Sequence, residues 1–140
     1  MNAELITAKK AVSDIRDGSS ILLGGFGVIQ GWPHELLLAL RNHGARNLTL
    51  ICNSPGFGPL SPQILAENGQ ISKLVASFGG YSYRTTVLSD QISAGMVDFE
   101  MVPQGTLVER IRAGGAGIRA FFTPAGIGTL AEEKKEKRVF

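Results

Sequence analysis

The sequence predicts an α/β protein with an open, mostly parallel sheet and helices on both faces. Apolar runs suited to strands alternate with helical stretches five times along the chain, which is typical of this fold class. Several of the runs are continuously apolar, as in strands buried on both faces. With 140 residues, 44% hydrophobic and 19% charged, the chain can form one core. We therefore expect a single domain over residues 1–140.

The first elements carry clear boundary signals. Thr7 is placed to cap a helix, and Asp17-Gly18 is placed to stop it. Pro33 suits the first turn of a second helix, where its missing N–H would have no partner anyway. The elements predicted up to the third strand are helix Thr7–Arg16, strand Ile21–Leu23, helix Pro33–Asn42, strand Leu48–Cys52, helix Pro62–Glu67 and strand Lys73–Ser77.

The later elements follow the same alternation. A helix over Thr85–Ser93 and a strand over Phe99–Val102 come first. Thr106 and Glu109 then have the spacing of a capping box, and Gly114-Gly115 would end the helix that it starts. A fifth strand is predicted over Ile118–Phe122. Ligands of such sheets bind beyond the carboxyl ends of the strands.

Composition excludes several classes of function. The net charge of +2 does not suggest nucleic-acid binding, and no apolar run approaches the ~20 residues of a membrane span. The first residues lack the pattern of a signal peptide, so we predict a cytoplasmic protein. The single cysteine, Cys52, is expected to pack as a small hydrophobe at a strand end. With only His34 and His43 beside it, no metal site is expected.

Glycine is unusually frequent, at 18 of 140 residues or about 13%, and several glycines lie between the first strand and the second helix. Strand, glycine-rich turn and helix form the usual arrangement for binding an anion or another close ligand. A dinucleotide fingerprint starting at Gly25 would need glycine at position 30, where the chain has Gln30, and no P-loop lysine motif is present. The remaining alternative is that the glycines only allow close packing of helix on strand.

Two blocks of sequence resemble the first (alpha) subunit of the family I coenzyme A (CoA) transferases, the 3-oxoacid, 3-oxoadipate and acetate type. One block is Asp17–Phe26, followed by Gly31-Trp32-Pro33. The other is Pro103–Gly117, continued by Phe121–Pro124 and Gly126–Thr129. The resemblance covers nearly the whole chain. The chain departs from the family pattern in having one more residue in the glycine loop and a bulkier side chain at Trp32.

The resemblance implies a chemistry that needs two subunits. A glutamate of the second (beta) subunit would attack an acyl-CoA, and CoA would then pass to a carboxylic acid, with CoA as a substrate and no metal or permanently bound cofactor. It also implies a hetero-oligomer with no nucleic acid or membrane partner. By position, Gln104 would present its amide to the reacting carbonyl, and Asn53 would line the same pocket. The predicted CoA-contact residues are Gly24, Gly25, Phe26, Gly27, Val28, Ile29, Gln30 and Gly31.

Each of these roles has a simpler alternative. Gln104 could only brace the helix beside it, and Asn53 could only form the turn before Pro55-Gly56. Glu67 resembles part of the partner's Ser-Glu-Asn-Gly nucleophile motif, but it should end a short helix instead. Neither His34 nor His43 is expected to act as a base.

Two other functions remain open from the sequence. One is a hydrolase on the same scaffold that attacks CoA esters with water or acts on a carbon–carbon bond. The other is a ligand-sensing domain without catalysis. The final Val139-Phe140 resembles the beginning of a strand, so we expect the domain to be incomplete at its carboxyl end.

Overall fold

A computed structural model describes residues 4–26, 31–80, 85–133 and 135–139. The elements in chain order are α1 (Ala8–Ala11), β1 (Ser20–Leu22), α2 (His34–His43), β2 (Leu48–Cys52), α3 (Gln63–Glu67), β3 (Ile71–Ala76), α4 (Val87–Ser93), β4 (Asp98–Met101), α5 (Gln104–Gly115) and a 3₁₀ turn over Leu130–Glu132.

The four strands form one parallel sheet in the order β1-β2-β3-β4. The register aligns Ile21, Leu50, Leu74 and Phe99 in a single row across the sheet. Because each strand is followed by a helix before the next parallel strand, every strand runs in the same direction and ends at the same edge. The prediction of an open parallel α/β sheet is confirmed.

The main core lies on one face of the sheet. The row of Ile21, Leu50, Leu74 and Phe99 faces the side chains of the helices that connect the strands. Leu50 and Leu74 have no exposed surface. The helical residues buried against this face are Leu37 and Leu40 of α2, Ile64, Leu65 and Ala66 of α3, and Leu88 of α4.

The other face carries α5 and is only partly covered. Leu107 of α5 and Val102 pack on Val75, with Ile51 at the margin of this smaller cluster. At the far edge of the same face, the Leu22 side chain is 60% exposed. The helices therefore lie on both faces, as predicted, but the two faces are unequally packed.

The first helix is shorter than the sequence predicts. Thr7 caps α1 by accepting a hydrogen bond from the Lys10 N–H at 3.2 Å, but the helix ends at Ala11 and continues only as turns. The Ser13 hydroxyl donates to the Lys10 carbonyl at 2.8 Å, and this local hydrogen bond competes with further helix.

The predicted capping box of the last helix is wrong. Pro103 is the N-cap of α5, so Thr106 already lies inside the helix and is buried. Glu109 pairs with Arg112 instead, at 2.6 and 2.8 Å, and the Arg112 hydrogen bond lowers the pKa of the Glu109 carboxyl. Proline fixes the backbone conformation that starts the helix, and this local constraint outweighs the Thr-Glu spacing.

The fifth strand predicted over Ile118–Phe122 is also wrong. The segment has no regular secondary structure, and Ile118 and Phe122 are 42% and 44% exposed. A strand requires a neighbour to pair its backbone groups. Within the described residues, the only sheet ends at β4, and this apolar segment runs past α5 without joining it.

None of the helices in the described ranges is long and apolar enough to cross a membrane.

We expect Leu50→Ala to lower the free energy of unfolding by about 2–5 kcal/mol, because it removes a fully buried side chain from the main core. Leu22→Ala is the matched control, since the same atoms are removed from an exposed position of the neighbouring strand. Urea denaturation measures both changes. Equal losses in the two variants would contradict the assignment of the main core to this face.

Candidate functional site

The site lies at the edge of the sheet where all four parallel strands end. The segments that follow the strands begin at residue 23 after β1, Asn53 after β2, Ser77 after β3 and Val102 after β4. Each of these segments follows a strand of the sheet, so its position is fixed by the core that the strands form. Side chains that are far apart in the chain are brought together at this edge.

Three neutral polar side chains meet there through the Gln104 amide oxygen. The Asn53 amide donates from Nδ2 to Gln104 Oε1 at 2.9 Å, and the Ser77 hydroxyl donates from Oγ to the same oxygen at 2.6 Å. Asn53 and Gln104 are 51 residues apart in sequence. The segments that follow β2, β3 and β4 therefore each supply one member of this cluster, which we call the amide cluster: Asn53, Ser77 and Gln104.

Main-chain hydrogen bonds hold the amide cluster in place. The Asn53 carbonyl accepts from the N–H groups of Ser77 and Phe78, both at 3.1 Å. The Val102 N–H donates to the Ala76 carbonyl at 3.0 Å, which extends the ladder to the start of α5. Pro103 then turns the chain so that Gln104 is the first residue of that helix. Asn53 is only 7% exposed.

The arrangement can donate hydrogen bonds to a ligand without carrying a formal charge. With Oε1 of Gln104 occupied by two donors, the amide Nε2–H bonds are the groups left to interact with a ligand. The first N–H groups of the 12-residue α5 have no partner inside the helix, and the positive end of its dipole lies at Gln104. This site suits an oxygen on which negative charge develops during a reaction.

The glycine segment after β1 is connected to the same edge through Trp32. A Cβ at Gly25 would lie 2.2 Å from the Trp32 ring, and a Cβ at Gly56 would lie 2.8 Å from Trp32 Nε1. The indole, which is 4% exposed, therefore fills the space between the loop after β1 and the loop after β2. Close packing, the alternative role of the glycines, is real at Gly25.

The structure describes four of the eight predicted CoA-contact residues. Gly24 and Gly31 are exposed, Gly25 is half-buried and Phe26 is 70% exposed. A Cβ at Gly24 would meet no atom within 4 Å, so the space beside this backbone is open. The contacts predicted for Gly27, Val28, Ile29 and Gln30 lie outside the described residues.

Sequence reasoning misses two residues of this edge. The apolar pattern places Ser77 only at the end of the third strand, although a polar residue directly after the buried Val75-Ala76 matches the position of Asn53 after Cys52. Gln63 is buried and donates from Nε2 to the Gly56 carbonyl at 3.2 Å, which supports the loop after β2. No local sequence signal distinguishes Gln63 from a surface glutamine of a short helix.

The other candidates lie away from the amide cluster. Glu67 is exposed at the end of α3, near the start of β3 and therefore toward the opposite edge of the sheet. His43 contacts the Ile15 carbonyl at 2.8 Å through Nε2. Cys52 is 4% exposed, and burial raises the pKa of its thiol to about 12, so it is a buried apolar residue as predicted. Among the described residues, no group of three His, Cys, Asp or Glu side chains could hold a metal ion.

Comparison with known proteins gives a consistent family. Residues 5–140 match the family described as Coenzyme A transferase. The first (alpha) subunit of a probable succinyl-CoA:3-ketoacid coenzyme A transferase of Bacillus subtilis is 41% identical over all of this chain, which covers 57% of that protein. The corresponding subunit of the 3-oxoadipate CoA-transferase of Pseudomonas putida is 47% identical over 91% of this chain and 54% of its own length. The chain thus spans about half the length of these relatives.

Solved structures agree on the fold. An acyl-CoA transferase apoenzyme from Escherichia coli O157:H7 superposes with a TM-score of 0.77 at 22% identity, covering 94% of this chain and 26% of that one. A variant of the decarboxylase AibA/AibB superposes with a TM-score of 0.66 at 28% identity, covering 81% of this chain and 44% of that one.

We expect Gly25→Ala to destabilise the chain by about 2 kcal/mol or more, because its φ of +132° is unfavourable for alanine and the new Cβ would collide with the Trp32 ring. Gly24→Ala is the control at the neighbouring position, where the added methyl meets open space. Urea denaturation of both variants measures the difference. If Gly25→Ala were as stable as Gly24→Ala, the proposed contact between the glycine segment and Trp32 would be excluded.

Proposed function

Because this chain belongs to the coenzyme A transferase family, we propose that it is the first (alpha) subunit of a two-subunit enzyme that moves CoA between an acyl-CoA and a carboxylic acid. The observation that supports this role most directly is the amide cluster at the carboxyl edge of the sheet. There, Gln104, the neutral hydrogen-bond donor that the sequence singles out for the reacting carbonyl, is held by Asn53 and Ser77.

The proposed chemistry divides the work between two polypeptides. The thioester carbonyl carbon of the acyl-CoA is attacked by a glutamate carboxylate of the second subunit, and the carbonyl oxygen becomes negatively charged. CoA leaves as the thiolate and an acyl-glutamyl anhydride remains. The thiolate then attacks the glutamyl carbonyl, which releases the acid and forms a glutamyl-CoA thioester, and the acceptor acid completes the exchange in reverse.

The contribution of this chain is to bind and stabilise. The Gln104 Nε2–H donates to the carbonyl oxygen as its charge develops, and the positive end of the α5 dipole acts in the same direction. Because the donor is neutral, it does not bind the incoming carboxylates as strongly as a lysine or arginine would. It therefore favours the transition state over the charged acids present before and after the reaction.

The CoA part of the substrate is assigned to the loop after β1. Gly24 offers open backbone at this loop, and Trp32 fixes the loop beside the segment that starts at Asn53. An extended thioester arm could then run from the glycine segment toward Gln104 along one edge of the sheet. The acid substrates are proposed to be short-chain or 3-oxo acids, in keeping with relatives that are named for 3-ketoacids and 3-oxoadipate. A cytoplasmic location stays a prediction from composition.

We expect the full-length protein to show no transfer by itself and to exchange isotopically labelled CoA with free acids when it is purified with its partner subunit. Acetate, acetoacetate, succinate and 3-oxoadipate, each with a matching acyl-CoA, form a suitable panel. The reaction is also run without acceptor acid, because a hydrolase would release free CoA under those conditions. No exchange with any member of the panel would overturn the proposed function.

We expect Gln104→Ala in the assembled enzyme to lower turnover about 10²- to 10³-fold, as measured for oxyanion donors elsewhere, while KM changes little. Gln104→Glu should lower turnover at least as much. Its carboxylate can still accept hydrogen bonds from Asn53 and Ser77, but it has no N–H to donate.

These two Gln104 variants separate catalysis from bracing. If Gln104 only supported α5, the glutamate variant would remain active, and that result would remove the catalytic role. Gln91→Ala is the control, because this half-buried glutamine of α4 donates its amide to the Ala66 carbonyl at 2.9 Å and lies outside the amide cluster. Its turnover should equal that of the unmodified enzyme.

A further inference from the structure

We propose that Ser77 is a positioning residue that fixes which way the Gln104 carboxamide faces. Gln104 can act as a donor only if its Nε2, and not its Oε1, faces the ligand. The two ends of a carboxamide have nearly the same shape, so packing alone does not select between them. The selection must come from the hydrogen bonds that the amide oxygen receives.

Ser77 supplies the shorter of the two hydrogen bonds to that oxygen. The Ser77 Oγ to Gln104 Oε1 distance is 2.6 Å, against 2.9 Å from Asn53 Nδ2. An amide oxygen accepts two hydrogen bonds, so these donors fill its capacity. With the carboxamide reversed, its –NH2 group would face the Asn53 –NH2 group, donor against donor, and the Ser77 hydroxyl would lose its acceptor.

The position of Ser77 is itself rigid. Its N–H donates to the Asn53 carbonyl at 3.1 Å, and the preceding Ala76 is the fully buried last residue of β3. A serine hydroxyl also rotates about only one side-chain bond besides its own O–H, so little freedom is lost when it points at Gln104. Ser77 therefore transmits the fixed geometry of β3 to a side chain on α5.

The same hydrogen bonds improve Gln104 as a donor. Two hydrogen bonds to Oε1 draw electron density toward the oxygen, which makes the Nε2–H bonds more polar, and hydrogen bonds linked in this way reinforce each other. Removing the Ser77 hydroxyl would have two effects. The carboxamide would spend part of its time reversed, and its N–H groups would donate less strongly.

The kinetic part of this inference rests on the proposed function and is tested in the assembled enzyme with a double-mutant cycle. We expect Ser77→Ala to lower kcat about 5- to 20-fold with KM nearly unchanged, since one hydrogen bond that orients the donor is lost. In a Gln104→Ala background, Ser77→Ala should cause no further loss. A loss of the same size in both backgrounds would overturn the proposal, because Ser77 would then act independently of Gln104.

Ser72→Ala is the matched control in the same strand. Its hydroxyl donates to the Leu48 carbonyl at 3.4 Å at the opposite end of β3, away from the amide cluster. This variant should keep the kcat of the unmodified enzyme. A decrease in kcat equal to that of Ser77→Ala would show that the loss reflects a general weakening of β3, and the proposal would fail.

A second measurement does not depend on CoA transfer. In the intact protein labelled with ¹⁵N-glutamine, the Gln104 side-chain signal is assigned by its absence in Gln104→Ala, and its ¹⁵N heteronuclear NOE reports how rigid the amide is. We expect a rigid amide in the unmodified protein and a lower NOE in Ser77→Ala. The Gln70 amide, held by the Leu40 and Ala45 carbonyls at 3.1 and 2.9 Å, should stay rigid in both.

The two measurements separate the two proposals. If the unmodified enzyme exchanges no CoA but the Gln104 amide loses rigidity in Ser77→Ala, the proposed function fails while the positioning role of Ser77 stands. An amide that stays equally rigid in Ser77→Ala would overturn the positioning role even in an enzyme that transfers CoA.

Discussion

The structure of the site depends on the main-chain carbonyl of Asn53. This oxygen accepts the N–H groups of both Ser77 and Phe78, so the segment after β2 and the segment after β3 leave the sheet together. The side chain of the same residue reaches Gln104 on α5. One residue thus links the ends of three strands, and the position of every polar group in the amide cluster follows from the parallel register of the sheet.

This constraint explains why the cluster is made of neutral residues. Asn53 is 7% exposed, and a charged side chain with so little access to water would need an opposite charge beside it. Amides and a hydroxyl can satisfy one another at this edge instead, and they keep an N–H bond for a ligand. The ion pairs of the described residues, such as Arg110 with Glu100 at 2.7 Å, lie outside the cluster on half-exposed or exposed surface.

Trp32 plays a corresponding part for the loop after β1. The ring occupies the space that side chains at Gly25 and Gly56 would need, so the two glycines and the indole form one contact between neighbouring loops. The large Trp32 side chain and the glycines around it are therefore two sides of the same packing arrangement. The sheet core, this contact and the amide cluster together define one edge that is built from four strands.

The sequence by itself determined what depends on local pattern. Continuous apolar runs located all four strands to within two residues at their ends, and Thr7 capped the helix it was expected to cap. The motifs that resemble the family also led to Asn53 and Gln104. Local pattern was insufficient where a tertiary partner decides the outcome. Ile118–Phe122 has the composition of a strand but no neighbouring strand to pair with among the described residues, and the Thr106-Glu109 spacing gave way to Pro103 at the start of α5.

Only the tertiary structure decided that Ser77 belongs to the site and that both donors converge on one oxygen. Ser77 and Gln104 are 27 residues apart, and no periodicity within either segment records a contact between them. Their meeting requires the register of β3 against β2 and β4 and the turn at Pro103. Strand identity is a local property of the chain, whereas the direction in which Gln104 presents its N–H bonds is set by residues from two other strands.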